Sequence, residues 1–146
     1  PGDMAARGDA QYGAWLCGVC LGTVGMALHH KVCHVLGGTF NLPHAEMHGI
    51  VLGHAIAYNA STAPEAMARL ARALGCGDQP WVHLHALLAS LGLPTALKDL
   101  GMPEEGLEHA VQLMLKDSYW NPRPMEASPL RNLLRRAFEG RAPHAD

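Results

Sequence analysis

His30, His34 and His44 lie in the stretch HHKVCHVLGGTFNLPHAEMH, residues 29–48, which holds most of the side chains in this chain that could do chemistry. His30 and His34 are one helical turn apart and share a helix face. The Gly37-Gly38 pair then allows a turn, and Pro43-His44 can bring a third imidazole back towards the first two. Imidazole is a good ligand for Fe2+ and Zn2+, and it exchanges protons near neutral pH. The pattern H-x3-H-x9-H therefore fits a metal or proton-transfer site, while hydrogen-bonded structural histidines give the same spacing. His48, one turn beyond His44, can line the same cavity or bond groups behind it. His29 points about 100° away from His30 on a helix and reads as surface or packing, Lys31 as a solvated charge, and Glu46 as an early-turn helix charge.

The elements that must place these residues are helical. Ala, Leu, Val and Met supply most of a 49% hydrophobic composition, with few β-branched or aromatic runs, which favours helix over sheet. The pattern predicts a long first helix from Met4 or Ala5 to Leu36, stopped at Gly37-Gly38 and lying axially among the others. Further helices are predicted over Ala45–Asn59, Pro64–Leu74, Gln79–Ser90 capped by Asp78, Glu104–Lys116, and from Ser128-Pro129 to Phe138, with a short segment at Ala96–Leu100. Trp81, Leu84, Leu87, Leu88 and Leu91 form the expected inward stripe of the fourth. Asn121-Pro122-Arg123-Pro124 cannot be helix interior. The expected fold is all-α, a multi-helix orthogonal bundle over residues 1–146.

Composition excludes several functions. The net charge is −2 and the eleven Lys and Arg are dispersed, so no basic stripe for nucleic acid exists. The uncharged run Ala10–Leu28 approaches the roughly 20 residues of a membrane span, but its glycines dilute it, and a buried helix is the simpler expectation. No secretory signal is expected. Cys17 and Cys20 read as buried thiols rather than a zinc pair or a disulfide. His83 and His85, two apart, read as surface or core-edge residues, and Tyr119 and Trp120 as packing for the final helices. No glycine cluster sits between a strand and a helix as a dinucleotide fold requires, so any redox cofactor must be held elsewhere.

The segment GMALHHKVCHVLGGTFNLPHAEMHGIVLGHAIAYN (residues 25–59), with ARGDAQYGAWLCG (6–18), SLGLPTALKDLGM (90–102) and NPRP (121–124), resembles the C-terminal helical domain of the iron-containing alcohol dehydrogenase family. Within it the similarity is greatest to members that reduce maleylacetate to 3-oxoadipate with NADH or NADPH. The resemblance implies a nucleotide-binding domain upstream, as part of the same or a separate chain, and an active site in the cleft between the two. It implies metal ligation by His30 and His44 if Fe2+ or Zn2+ is bound, with the other ligands upstream, and proton transfer by His34. His48, His54 and Arg123 are further pocket candidates for a small dianionic substrate; Lys31 is a second cation. Gly53-His54 stands where many relatives carry Pro-His, which could loosen the local turn. The isolated chain is expected to be inactive, to associate through its exposed face and to belong in the cytoplasm. A metal-dependent alcohol dehydrogenase, or a non-enzymatic helical interaction module, are the alternatives.

Overall fold

A computed structural model describes residues 2–116 and 120–145. Among them seven α-helices, two short 3-10 turns and no strand occur. The helices are α1 Met4–Thr23, α2 Leu28–Phe40, α3 His44–Asn59, α4 Pro64–Leu74, α5 Pro80–Ser90, α6 Gly106–Lys116 and α7 Ala127–Glu139. The turns cover Ala60–Thr62 and Leu97–Leu100. The all-α expectation holds.

The central element is α3. Met47, Ile50, Val51, His54, Ala55, Ala57 and Tyr58 are all buried on it, and α2, α5 and α7 pack around it, with α6 filling between α2 and α7. Leu28, Val32, Leu36, Met47, Ile50, Leu97, Met114, Leu130 and Leu134 make one continuous apolar core. Side chains of this size stabilise by about 1.5–3 kcal/mol each when fully buried.

The expected long first helix is two helices meeting at 97°. Thr23 closes the last turn of α1 by donating its hydroxyl to the Val19 or Cys20 carbonyl, at 3.0 and 3.1 Å. Val24 is then extended, and Gly25 lacks the propensity to restart the helix. Conversely α2 runs through Gly37-Gly38 and stops at Asn41, which adopts a left-handed conformation (φ 51°) and donates its N–H to the Gly37 carbonyl at 3.0 Å. Two glycines weaken a helix but do not forbid it, whereas a left-handed Asn ends one.

Nor is α1 axial. Asp3 caps it, accepting from the Ala5 and Ala6 N–H groups, but none of its residues is buried and it packs on no other described element. Cys17 and Cys20, expected to be buried, are exposed for that reason. Tyr12 and Trp15 stack at 5.7 Å on this open helix. Other departures follow from helix rotation. Lys31 falls on the inward stripe with Leu28 and Val32 and is 7% exposed, so it is no solvated charge. Leu87 and Leu91 turn outward, because α5 meets α3 through Trp81 and Leu88. Asp78 does not cap α5; Gln79 precedes it without a side-chain bond. Trp120 is 77% exposed rather than packed, and Tyr119 lies outside the described residues.

Among the described residues no single helix is long and apolar enough to cross a membrane; the bent pair α1 and α2 together reaches the threshold.

One polar contact fastens the bundle. Asn59 at the end of α3 and Asn121 in the NPRP loop exchange amide hydrogen bonds of 3.1 and 2.7 Å. Asn121 Oδ1 also accepts from Leu28 N at 3.3 Å, and its Nδ2 donates to the Arg123 carbonyl at 2.6 Å. Leu28 N belongs to the first turn of α2, where Ala27 offers no capping oxygen; Asn121 caps it from across the sequence. Replacing Asn121 with Ala leaves Leu28 N–H, the Asn59 amide and the Arg123 carbonyl short of partners. It is expected to destabilise the fold by about 2–3 kcal/mol, read as a lowered urea midpoint.

Candidate functional site: an imidazole cluster between two helices

The clamp sets α2 against α3, and the two facing surfaces carry histidines. His48 is the hub. Its ring lies 4.2 Å from that of His44, 5.0 Å from His29 and 5.8 Å from His30, centroid to centroid. His30 in turn lies 5.9 Å from His34 and 5.6 Å from His29, each pair edge to face. His34 and His44 are exposed and His30 is half-buried, so the cluster opens outward. Thus the structure brings together His30, His34, His44 and His48, as the spacing anticipated.

His29, read from sequence as surface or packing, belongs to the same cluster. Its Nε2 donates to the His48 carbonyl at 3.1 Å, and Cys33 Sγ lies 3.7 Å from that nitrogen. His29 and Cys33 are one turn apart on α2, so their shared face was legible from the spacing.

The other two candidates lie elsewhere. His54 is ten residues along α3 from His44, about 15 Å by helical rise, and is 2% exposed. It packs edge to face with His85 at 6.3 Å and borders a cavity of about 20 Å³ with Tyr58, Asn132, Arg136 and His144. Arg123 sits at the far end of α3. It donates to the Tyr58 carbonyl at 3.2 Å and lies 4.5 Å over the Tyr58 ring, while Tyr58 Oη donates to the Pro124 carbonyl at 2.7 Å. Gly53 permits close packing beside His54, since a Cβ there would meet the Trp81 carbonyl and Pro143 Cγ at 3.0 Å. His83 is exposed and His85 half-buried, as expected.

Burial keeps much of this region neutral. His48 is pushed down to about 4, by desolvation first and then by repulsion from His29, His44, His30 and His34. Its Nε2 is buried and makes no hydrogen bond. His29 is also lowered, by desolvation, against the raising effect of its bond to the His48 carbonyl. Imidazoles gathered on one opening are the donor set that Fe2+ or Zn2+ accepts, so the residues present fit such an ion.

The fold and the site define an all-α unit that gathers imidazoles on one open face of a helix pair. The family follows: residues 1–138 match the model of the Fe-containing alcohol dehydrogenase family, C-terminal, and the chain belongs to that family. It is 54% identical over 143 residues to a maleylacetate reductase of Burkholderia cepacia, covering 98% of this chain and 40% of the relative. With a maleylacetate reductase of Pseudomonas knackmussii it is 55% identical over 145 residues, covering 99% and 41%. Among solved structures, a putative alcohol dehydrogenase of Ralstonia eutropha superposes with a TM-score of 0.95 at 58% identity, covering 98% of this chain and 41% of that one. A maleylacetate reductase of Agrobacterium tumefaciens gives 0.91 at 48%, covering 97% and 40%. The chain spans about two fifths of the length of the relatives it matches.

His54 gives the pH dependence a definite sign. Burial, then His85 and Arg136, lowers it from 6.5 to about 3. Below pH 6.5 the unfolded chain binds a proton that the folded chain refuses until about pH 3, so stability falls as pH drops through that window. The slope is about 1.4 kcal/mol per pH unit. Urea unfolding at pH 7 and pH 5 is expected to differ by about 2 kcal/mol from this residue, and His54→Gln is expected to remove that share. An unchanged difference in the variant would assign the pH dependence to other groups.

Proposed function

We propose that this chain is the C-terminal, cleft-forming part of an NAD(P)H-dependent reductase that converts maleylacetate to 3-oxoadipate. The observation that carries the reading is the open imidazole cluster on α2 and α3, in a chain at least half identical to proteins named maleylacetate reductase over nearly all its length. The nucleotide-binding part is contributed by sequence upstream of these residues, in the cytoplasm where reduced nicotinamide is maintained. The open aromatic face of α1, with Tyr12 and Trp15, meets that part of the enzyme.

The reaction adds a hydride and a proton across a carbon–carbon double bond conjugated to a carbonyl. A nicotinamide held by the nucleotide-binding part would supply the hydride. His34, exposed at the cleft end of the cluster, donates the proton to the carbon opposite the hydride and recovers it from solvent. His30 and His44 orient the substrate's oxygens, and they are the residues that would hold Fe2+ or Zn2+ should the complete enzyme carry one; such an ion supplies Lewis acidity at the carbonyl. His48 stays neutral behind them and fixes the ring of His44 by contact. His54 and Arg123, about 15 and 21 Å along α3 from His44, act on the helix rather than on the substrate.

A second reading, a metal-dependent alcohol dehydrogenase, is favoured by the 58% identity to the Ralstonia eutropha putative alcohol dehydrogenase. The two separate in one assay. The complete enzyme is expected to oxidise NADH or NADPH with maleylacetate, and His34→Ala is expected to lower kcat by about a hundredfold or more with a smaller change in KM. Turnover of simple alcohols without turnover of maleylacetate would establish the second reading instead.

A further inference from the structure

Cys33 is used by neither reading, yet it sits buried within the imidazole cluster. We infer that His29, Cys33 and His48 form a second metal site, for a zinc-class divalent cation, separate from the His30 and His44 pair. The inference does not rest on the reductase reading. One nitrogen or sulfur atom from each residue lies within 4.8 Å of the other two. His29 Nε2 and Cys33 Sγ, one turn apart on α2, are already 3.7 Å from each other. With Zn–N near 2.0–2.1 Å and Zn–S near 2.3 Å, a tetrahedral ion holds such a pair roughly 3.6 Å apart. The third donor comes from α3, so the site is built by the same helix pairing that gathers the catalytic candidates.

His48 supplies the independent mark of a site. Its Nε2 is buried and has no hydrogen-bond partner, and a buried polar atom is ordinarily satisfied. The donor set names the ion class. Two imidazoles and a thiol select zinc-like cations over Mg2+ or Ca2+, which take oxygen. Three protein donors leave a fourth position for water. A way in exists at the α1–α2 elbow, where a hollow of about 570 Å³ is lined by Cys17, Leu21, Val24, Met26, His29 and His30.

Binding changes bonds in a balanced way. The Cys33 S–H bond breaks, its proton leaves to solvent, and a sulfur–metal bond forms with no change of oxidation state. Burial raises the Cys33 thiol to about 12 without metal, so uptake is expected to strengthen as pH rises. His29 moves its ring proton to Nδ1, freeing Nε2 for the ion and giving up its bond to the His48 carbonyl.

The test is cobalt substitution. The complete enzyme, reduced and stripped of metal, is titrated with Co2+ in a Cys17→Ser/Cys20→Ser background. A sulfur-to-cobalt charge-transfer band in the near ultraviolet is expected, because the family-type site has no sulfur among His30 and His44. The band is expected to persist in the His30→Ala/His44→Ala variant and to vanish in Cys33→Ser. His48→Ala is expected to weaken Co2+ binding at that band by more than about tenfold, a readout that keeps the test decisive should Cys33→Ser fold poorly. No band at saturating Co2+, a band that survives in folded Cys33→Ser, or unchanged affinity in His48→Ala would overturn the inference.

Discussion

The reciprocal amide pair between Asn59 and Asn121 decides where the histidines stand. An α-helix begins with N–H groups that its own turns cannot satisfy. At the start of α2 the local sequence, Gly25-Met26-Ala27, offers no side-chain oxygen. Asn121 supplies one to Leu28 N from a loop 93 residues away, while Asn59 holds that loop to the end of α3. One contact thereby fixes the beginning of the helix that carries His29, His30 and His34 to the end of the helix that carries His44 and His48. The NPRP loop completes the fastening through Arg123 and Pro124, both engaged by Tyr58.

The imidazole cluster is a consequence of that pairing and carries a cost. Imidazoles in ring contact repel when protonated, and those nearest the core lose hydration as well. Burial acts first and mutual repulsion second, so His48 remains neutral far below the ordinary histidine range. Neutral imidazoles have the lone pairs that metals and protons require. The energetic penalty of packing them together and their chemical usefulness have the same origin. His54 repeats the pattern deeper in α3, against His85, where burial again holds an imidazole neutral and ties stability to pH.

Much of this was legible in the sequence, for physical reasons that differ from element to element. The bounds of α3, α4 and α7 lie within a residue or two of the pattern, because Pro43 precedes α3, Pro64 and Pro129 fall in first turns and Gly75 fixes a stop. The clustering of His30, His34, His44 and His48 followed from helical spacing plus a return loop. The α1–α2 boundary did not, because Gly25 and Gly37-Gly38 look alike as punctuation, while the break follows extended Val24 and the end of α2 depends on the left-handed conformation of Asn41. The inward position of Lys31 and the outward positions of Leu87 and Leu91 depend on helix rotation, which periodicity does not set. Cys17 and Cys20 were misplaced because their helix has no neighbour among the described residues. His29 read as surface or packing because it lies about 100° from His30 on α2, whereas the neighbouring α3 places the His48 carbonyl, and α2 itself Cys33 Sγ, against its ring.

On the proposed function, the substrate meets the α2–α3 imidazoles and not the buried end of α3. Histidine-selective nitrogen-15 NMR of the complete enzyme tests this directly, with oxidised nicotinamide and a non-reacting dicarboxylate analogue added together. Ring signals of His30, His34, His44 and His48 are expected to shift, while those of His54 and His85 stay in place. Shifts confined to His54 and His85, with the cluster unmoved, would contradict the account.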